Sequence, residues 1–343
     1  MADSEKNEDD KLDSTTVICV CLIYLLATLF TIAGNLIAII VIWRTKEFRE
    51  VTRILMANLA VTDLLVGVLI LPCIIHTAAT KSWIFGNIWC QFTGFNNLLL
   101  CSVSAMSLTA VSYERYIAIV YSLRYIDLLT LKRSVIVVAV IWLSAAVGAS
   151  VPFFGIGKYK YFDNRLTCGL DYKDNLVFTV TVIVFYFVLP VSWMFYIYYH
   201  IFKTARRHAR SVHALIISLP GHNIGFSSKE RKATSTIVII IGVYLLTWTP
   251  ATIVQIISLS ASTISIPPEV DTVTTCLLFL NSACNPWIYC GMNAVFRQGL
   301  RRQTRLLLQC IGWKCINTSQ DAEQNNSTQS TVNMHNQDSN SVV

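Results

Sequence analysis

The amino-acid sequence predicts an all-α membrane protein, a seven-transmembrane-helix bundle followed by a short amphipathic surface helix. Hydrophobic residues make up 54% of the chain and charged residues only 14%, whereas soluble domains usually carry about 25% charged residues. Seven apolar stretches are each long enough to cross a bilayer. Lys and Arg are concentrated in alternate connections between these stretches. Together these patterns indicate that lipid is the main solvent of the folded chain.

The predicted spans divide the chain into a short polar start, a helical bundle and a polar end. Residues 1–16 lack the basic start and short apolar core of a cleavable signal peptide, so they are expected to form a short extracellular N-terminus. The bundle is expected over residues 17–292. Its predicted spans are Val17–Trp43, Ile54–Ala79, Ile88–Val111, Ser134–Phe154, Leu176–Ile201, Ala233–Ile266 and Thr272–Met292.

A short amphipathic stretch follows the bundle at residues 293–310. Because it is too short and too charged to span a bilayer, it is predicted to lie along the membrane surface in contact with lipid. Residues 311–343 are rich in Asn, Gln, Ser and Thr and are predicted to form a disordered cytoplasmic tail. The surface helix opposes Phe296, Leu300, Leu306 and Leu307 to Arg297, Arg301, Arg302 and Arg305.

The distribution of basic residues sets the predicted orientation. With the N-terminus outside, most Lys and Arg residues fall in cytoplasmic segments, as the positive-inside rule requires. This arrangement is typical of a multi-pass protein of the plasma membrane. The formal net charge of +7 does not predict a nucleic-acid partner, because the basic residues border membrane stretches and do not cluster with base-stacking aromatic residues.

Polar residues inside the predicted spans indicate a buried site. Asp63 is the only Asp, Glu, Lys or Arg in the second span. Such groups are costly in lipid and usually face the interior of the bundle. A carboxylate surrounded by neutral oxygen donors is a site for a small hard cation or a proton. The polar residues at comparable depth are Asn35, Ser104, Asn281, Ser282 and Asn285.

Short motifs occur at consistent depths in every predicted span. They are Gly34-Asn35, Leu59-Ala60-Val61-Thr62-Asp63, Cys90, Glu114-Arg115-Tyr116, Trp142, Pro190, Tyr198, Trp248-Thr249-Pro250, Asn285-Pro286-Trp287-Ile288-Tyr289 and Phe296. Each motif is a weak signal alone, but together they are ordered and spaced along the whole bundle. In these motifs the chain resembles the rhodopsin-like (class A) family of G-protein-coupled receptors.

The resemblance implies an activation switch at the cytoplasmic end of the bundle. In this family the arginine that matches Arg115 is held at rest and released to contact the G protein. Glu114 and Glu230 match its resting partners. Tyr198 and Tyr289 match the tyrosines that stabilise the released arginine. The other switch residues implied are Tyr116, Asn285 and Pro286, and Leu123 is expected to enter the G protein.

The resemblance also implies a sodium pocket, a disulfide and a lipid anchor. Cys90 and Cys168 match the bridge between the third helix and the second outer loop. Cys310 and Cys315 are candidates for palmitoylation. The residues that match the sodium set are Asp63, Ser104, Trp248, Asn281, Ser282 and Asn285. A sodium ion is therefore expected as an allosteric modulator.

Partners follow from the same resemblance. A heterotrimeric G protein is the expected transducer, and an arrestin and a receptor kinase are expected at the Ser/Thr-rich tail. The C-terminal residues Ser341-Val342-Val343 resemble the ligands of PDZ domains, which bind a terminal carboxylate by strand addition.

The implied ligand pocket lies between the outer halves of the third, fifth, sixth and seventh helices. None of the matching residues is acidic, and Asn97 stands where amine receptors of the family place an aspartate. A typical monoamine is therefore disfavoured, and the predicted ligand is small and neutral or weakly polar. The matching residues are Asn97, Leu98, Cys101, Val182, Tyr186, Trp248, Thr252, Gln255, Thr275 and Phe279.

Parts of the chain resemble two subfamilies, and the sequence leaves the choice open. Residues 168–172 resemble the second outer loop of opsins. Residues 161–168 and the fifth helix resemble melatonin receptors, and Tyr186 of that helix stands in place of their histidine. Opsins bind retinal covalently through a lysine in the seventh helix. Phe279 occupies that position and the seventh span contains no lysine, so no covalent cofactor is expected.

The sequence bears on three other possible functions. A transporter would string ionisable residues along several helices, and it remains only a remote alternative. The six histidines have no metal-site spacing, so the chain is predicted not to be an enzyme. A constitutively active, ligand-independent receptor stays open. Ala105 and Tyr244 replace the larger aliphatic residue and the phenylalanine of the family's mid-membrane switch, which predicts a weakly held resting state.

Overall fold

The computed structural model describes residues 14–217, 228–260 and 266–310. Within these ranges the chain forms eight long helices, named α1 to α8, and one small sheet. α2 is broken at Ile70, and a π turn, Val184–Val188, interrupts α5. The helices are α1 (Ser14–Arg44), α2 (Glu50–Leu69 and Leu71–Thr80), α3 (Gly86–Val120), α4 (Leu131–Ser150), α5 (Leu176–Ile183 and Leu189–Ile217), α6 (Ser228–Ser260), α7 (Pro268–Met292) and α8 (Ala294–Cys310).

The bundle is built from seven of these helices. α7 contains Glu269, Asp271 and a series of Thr, Ser and Asn side chains, and it packs against α1, α2 and α6 and so completes the bundle. The predicted fold class, a seven-helix membrane bundle, is confirmed. Among the described residues, six segments are long and apolar enough to cross a bilayer: Val17–Arg44, Glu50–Thr80, Gly86–Val120, Leu131–Phe154, Leu176–Thr204 and Gly242–Leu259.

The outer face of α1 illustrates how lipid shapes the sequence. Leu22, Leu25 and Leu29 are 53%, 45% and 57% exposed, whereas Tyr24 and Thr31 on the inner face are buried. In water so large an exposed apolar surface would favour aggregation. In a bilayer these side chains contact acyl chains, and packing between helices selects the polar and aromatic residues of the inner face.

The helices extend beyond the predicted spans at the end of the bundle where the Lys- and Arg-rich connections lie. This end is called the cytoplasmic end and the opposite one the outer end, after the orientation predicted from the sequence. The third predicted span ended at Val111, but α3 continues to Val120. The fifth ended at Ile201, but α5 continues to Ile217. Hydropathy detects only the part of a helix that is immersed in lipid, whereas backbone hydrogen bonding continues where the side chains reach water. α6 ends at Ser260, and residues 261–265 of the sixth predicted span lie outside the described residues.

Asn58 joins three helices on one side of the bundle. Its side-chain Nδ2 donates to Ser107 Oγ on α3 at 2.6 Å, and its Oδ1 accepts from Trp142 Nε1 on α4 at 2.8 Å. A hydrogen bond in this weakly polar interior has no competing water, and an unpaired amide would be costly. Asn58 therefore fixes the relative positions of α2, α3 and α4.

A β-hairpin covers the outer end of the bundle. Strands β1 (Tyr159–Phe162) and β2 (Thr167–Leu170) pair antiparallel, with Tyr159 opposite Leu170. The Tyr159 ring lies so close to α3 that a Cβ atom on Gly94 would come within 2.7–2.9 Å of it. A glycine is therefore required at this point of α3 for the hairpin to dock. This hairpin was not predicted from the sequence.

α8 is fixed to the bundle at its first turns. Asn293 Oδ1 accepts from the backbone N–H groups of Val295 and Phe296, which caps the helix start. Phe296 is buried, and Gln303 is also buried and accepts from Arg44 Nη1 on α1 at 3.2 Å. The amphipathic surface helix predicted after the seventh span is therefore present in the structure.

Candidate functional site

A cavity of about 110 Å³ lies beneath the hairpin at the outer end of the bundle. α3, α5, α6 and α7 form its walls, and residues of the hairpin and of the segment after it form its roof. All ten residues of the predicted ligand pocket line this cavity: Asn97, Leu98, Cys101, Val182, Tyr186, Trp248, Thr252, Gln255, Thr275 and Phe279.

Neutral polar groups of the cavity are held mostly by weak or local contacts. Asn97 Nδ2 donates to the Cys168 carbonyl at 3.5 Å, and Asn97 Oδ1 accepts from Cys101 Sγ at 3.5 Å. The first distance is long for an N–H···O hydrogen bond and the thiol in the second is a weak donor, so the Asn97 amide can pair with another molecule at little cost. Gln255 Nε2 donates to the Tyr172 hydroxyl at 2.9 Å. Burial raises the pKa of Tyr172, so this hydroxyl stays protonated.

Tyr186 lines the cavity, but its hydroxyl is already bonded to another helix. It lies in the π turn of α5, and its hydroxyl donates to the Ser144 carbonyl on α4 at 3.0 Å. The absence of a side chain at Gly148 makes this contact possible, since a Cβ there would lie 2.7 Å from the hydroxyl oxygen. The expected ligand-binding role of Tyr186 is therefore limited to apolar contact, unless the bond to α4 breaks.

The roof of the cavity carries an ion pair that the sequence analysis missed. Arg165 Nε donates to both carboxylate oxygens of Asp271, at 2.9 and 3.1 Å, and both side chains are only 14% exposed. The guanidinium lies 4.5 Å from the Phe162 ring centre and 5.3 Å from that of Tyr172. Arg165 and Asp271 both line the cavity.

This ion pair corrects the expectation that no acid lines the pocket. The ten predicted residues contain no acid, but Asp271, in the first turn of α7, is a further lining residue. The correction could not come from sequence spacing, because the two partners lie 106 residues apart. The available signal was only that the predicted outer segments contain both acidic and basic residues.

A second site lies deeper in the bundle, around Asp63. Asp63 is fully buried, and Asn285 Nδ2 donates to its Oδ2 at 2.6 Å. Its Oδ1 has no hydrogen-bond partner among the described residues. Asn35 Nδ2 donates to the Ser282 carbonyl at 3.1 Å, and Thr247 Oγ1 donates to Asn281 Oδ1 at 3.3 Å. Ser104, Asn281, Ser282 and Asn285 are all buried.

The donor set around Asp63 fits a small monovalent cation. It offers one carboxylate, two hydroxyls and two amides, which are oxygen donors of the kind that hard cations prefer. The uncompensated Oδ1 would gain a partner if a cation bound. Among the described residues there is no group of three His, Cys, Asp or Glu side chains that could hold a metal ion.

Aromatic side chains connect the two sites. Trp248 lines the bottom of the cavity, and the Tyr244 ring stacks on it with centroids 5.4 Å apart. Trp248 Nε1 and the Tyr244 hydroxyl are buried and lack hydrogen-bond partners within the described part of the chain. Buried polar atoms without hydrogen-bond partners are costly. A rearrangement of α6 that gave these two atoms partners would therefore be favoured by hydrogen bonding.

Two of the predicted switch residues, Glu114 and Arg115, pair at the cytoplasmic end, and Glu114 has additional partners. Glu114 is buried, and its Oε2 lies 3.2 Å from Arg115 Nε. Its Oε1 accepts from Thr52 Oγ1 at 2.8 Å and from the Tyr125 hydroxyl at 2.7 Å. Burial, followed by the Glu114 charge, raises the pKa of Tyr125, so the hydroxyl remains a donor. The Arg49 guanidinium lies 4.2 Å from the Tyr125 ring centre.

The other switch residues occupy separate positions. The Tyr198 hydroxyl shares a hydrogen bond with Ser112 Oγ at 2.7 Å, and Tyr289 packs against the Phe296 ring with centroids 5.8 Å apart. Tyr116 packs edge-on against Tyr121. The side chain of Glu230, in the first turn of α6, lies outside the described residues. Its predicted pairing with Arg115 stays a prediction.

The second inner loop presents apolar side chains on the cytoplasmic surface. Leu123 is 99% exposed and Ile126 is 83% exposed. Between them, Tyr125 is buried and joins the loop to Glu114. The loop therefore holds its apolar residues outward at a fixed position relative to α3, which suits a contact with another protein.

The predicted disulfide is confirmed, since Cys90 and Cys168 are bonded and link the start of α3 to β2. Pro286 lies inside α7 and packs so closely on α1 that a Cβ on Gly34 would lie 3.0 Å from its ring. Of the predicted lipidation sites, the side chain of Cys310 and all of Cys315 lie outside the described residues.

Comparison with known proteins places this arrangement in a family. A family model described as 7 transmembrane receptor (rhodopsin family) matches residues 34–289. Zebrafish (Danio rerio) G-protein coupled receptor 161 is 27% identical over 88% of the chain, which spans about three fifths (61%) of that relative's length. Mouse (Mus musculus) trace amine-associated receptor 1 is 30% identical, over 80% of the chain and 85% of that relative.

A solved structure gives the same result for the fold. Squid rhodopsin superposes with a TM-score of 0.74 at 20% identity, covering 91% of this chain and 92% of that one. The family consists of receptors, so the prediction that the chain is not an enzyme is confirmed. The chain belongs to the rhodopsin family of seven-transmembrane receptors, the class A G-protein-coupled receptors.

Proposed function

We propose that this receptor binds a small neutral or weakly polar ligand in the outer cavity and activates a heterotrimeric G protein at the plasma membrane, with its N-terminus outside. The observation that carries the proposal is the chemistry of the cavity. Its walls combine apolar side chains with the neutral amides of Asn97 and Gln255. Its two charged lining residues among those described, Arg165 and Asp271, neutralise each other. A charged ligand would enter without a matching charge, which is costly in a site of this burial.

The route from cavity to cytoplasm is supported by one buried hydrophobic cluster, which contains Trp248, Tyr244 and Tyr198. A ligand in the cavity would contact Trp248, whose ring stacks on Tyr244 within α6. At the inner end of the bundle, Arg115 is held by Glu114, and Leu123 is exposed beside it. A ligand can shift this system only as far as it binds one arrangement of α6 more tightly than the other. Trp248 is the residue through which that preference would act.

The proposed function is tested with a screen of neutral ligands against G-protein activation, followed by variants of the cavity. In Asn97→Leu, a ligand that pairs with the amide should lose potency by about 5- to 150-fold, since a buried hydrogen bond that is removed costs about 1–3 kcal/mol. Asn87→Leu makes the same change at an exposed position on α3 and should leave potency unchanged. Equal potency in wild type and Asn97→Leu would place the ligand elsewhere.

A ligand-independent receptor is the second candidate, and one contact favours it. Tyr172, which follows the hairpin, occupies the cavity wall and accepts a hydrogen bond from Gln255 on α6. The outer loop thus already touches the helix that a ligand would have to influence. High basal signalling in wild type that falls in Tyr172→Phe, without any added ligand, would favour this candidate over the first.

We also propose sodium as an allosteric modulator held by Asp63, Ser104, Asn281, Ser282 and Asn285, below Trp248. In the wild-type receptor, sodium at about 100 times its Kd should stabilise the fold by about 2.7 kcal/mol relative to a large organic cation. Asp63→Asn should remove this difference, because it removes the charge that offsets dehydration of the ion. The melting temperature is measured in sodium and in N-methylglucamine buffers.

The control for this test is Asp127→Asn, which neutralises an exposed acid of the second inner loop. It should keep the full sodium effect. A wild-type receptor whose melting temperature is the same in both buffers would show that Asp63 does not hold sodium.

The remaining proposed partners involve residues outside the described ranges. Phosphorylation of the Ser/Thr-rich segment 311–343 by a receptor kinase would create the acidic surface that an arrestin binds. Palmitoylation of Cys310 and Cys315 would add membrane affinity to α8. The C-terminal Ser341-Val342-Val343 would bind a PDZ domain.

A further inference from the structure

We propose that Arg165 is the residue that excludes protonated amines from the cavity, by occupying the carboxylate of Asp271. The inference rests on the proposed function in that it assumes the cavity is a ligand site, and it names the side chain that sets which charge the site accepts. Without Arg165, the cavity would contain an unpaired acid and would be an amine site.

The geometry shows how fully the acid is occupied. One nitrogen, Arg165 Nε, donates to both oxygens of Asp271. The guanidinium lies against the rings of Phe162 and Tyr172, both of which also line the cavity. Because the aromatic rings already restrict the guanidinium, it loses little further entropy when it pairs with the carboxylate. Its delocalised charge also suits contact with aromatic rings better than an ammonium would.

The loop that carries Arg165 is itself fixed to α7. Thr272 Oγ1, next to Asp271, donates to the Asn164 carbonyl, next to Arg165, at 2.5 Å. This bond joins the residues on either side of the ion pair. The pair is therefore not a chance contact between two long, mobile side chains, the kind of surface pair that contributes little. It is part of a double attachment between the outer loop and the start of α7.

Electrostatics then determines which ligands can use Asp271. An ammonium group that approached the carboxylate would either share it with the guanidinium, at the cost of repulsion between two cations, or displace the guanidinium from both of its oxygens and its aromatic neighbours. Interactions between charges are strong at this level of burial because little water screens them. Removal of the arginine leaves a largely buried carboxylate uncompensated, a state that an incoming cation would relieve.

The test compares two ligands of nearly the same size, 2-phenylethylamine, which is protonated at neutral pH, and 2-phenylethanol, which is neutral. Their dissociation constants are measured by direct binding to purified full-length receptor, so no signalling is required. Arg165→Gln should bind the amine at least about tenfold more tightly than wild type does, equivalent to 1.4 kcal/mol. Affinity for the alcohol should not change. In Arg165→Gln combined with Asp271→Asn, the gain for the amine should disappear.

Two further variants separate charge from packing. Arg165→Lys keeps the positive charge and should remain as insensitive to the amine as wild type. Lys160→Gln breaks the ion pair of Lys160 with Asp171, which is at 2.8 Å in the same outer loop but does not line the cavity, and should give no gain. If Arg165→Gln is produced poorly, Arg165→Met makes the same test because it keeps an apolar stem between the two rings.

The proposal is overturned if a folded Arg165→Gln or Arg165→Met receptor shows no gain for the amine. It is also overturned if the gain persists without Asp271, or if Arg165→Lys or Lys160→Gln shows the same gain. These outcomes can be distinguished from a failure of the proposed function. A receptor with no neutral ligand at all, or one that signals without any ligand, would still give the amine result if Arg165 shields Asp271.

Discussion

Cys168→Ser is expected to remove nearly all receptor from the cell surface and to abolish its response. The Cys90–Cys168 bond closes a segment of 78 residues between α3 and β2. A bond across a segment of this length contributes between about 3 and 4.7 kcal/mol in the chain-entropy account. That amount is a large part of the total stability of a typical domain. Without it, the hairpin would lose its covalent attachment to α3, and the cavity would lose its roof.

Surface antibody labelling and ligand binding measure this effect. Cys19→Ser is the matched control, because Cys19 is an exposed free cysteine of α1 and the same atom is exchanged. Normal surface level and normal signalling in Cys168→Ser would show that packing alone, including the Tyr159–Gly94 contact, is sufficient to hold the hairpin.

Glu114→Gln is expected to raise basal G-protein signalling strongly. Glu114 is the common acceptor for Thr52, Arg115 and Tyr125, so its charge holds α2, α3 and the second inner loop together. If this network contributes about 1–3 kcal/mol to the resting state, its loss shifts the active population by roughly 5- to 150-fold. A resting receptor that is about 1% active would then be between about 5% and 60% active.

Basal second-messenger production per surface receptor measures the change. Tyr125→Phe, which removes one donor and keeps the ring, should give a smaller increase in the same direction. Glu47→Gln makes the same substitution at an exposed position of the first inner loop and should change nothing. Glu230→Gln asks separately whether α6 takes part. Equally low basal signalling in wild type and in Glu114→Gln would show that this network does not stabilise the inactive state.

The fold could be predicted in outline because lipid imposes simple rules. Length and hydropathy locate helices that must satisfy their own hydrogen bonds, and the spacing of Lys and Arg orients them. The same rules could not locate the cytoplasmic ends of α3 and α5, where water replaces lipid and hydropathy carries no information. They also could not reveal the hairpin, because four-residue strands in a loop leave no long pattern.

The candidate site could likewise be predicted from the sequence only in part. Residues such as Asn97, Trp248 and Gln255 lie on regular helices, and their positions relative to family motifs placed all of them at one cavity. Tyr125 and Arg165 lie on loops, where the partner is set by the folded path of the chain. Arg165 meets Asp271 across 106 residues. No spacing rule connects them, and each by itself reads as an ordinary surface charge.

The amide of Asn58 has a consequence for how this receptor can move. It joins α2, α3 and α4 through hydrogen bonds of 2.6 and 2.8 Å, so these three helices form one rigid unit. Conformational change is then left to the helices outside this unit. Two tyrosine hydroxyls of α5 are bonded to this unit: Tyr186 donates to the Ser144 carbonyl on α4, and Tyr198, beyond the π turn, shares a hydrogen bond with Ser112 on α3. A displacement of the cytoplasmic part of α5 that leaves its outer end in place therefore requires only the Tyr198–Ser112 bond to break.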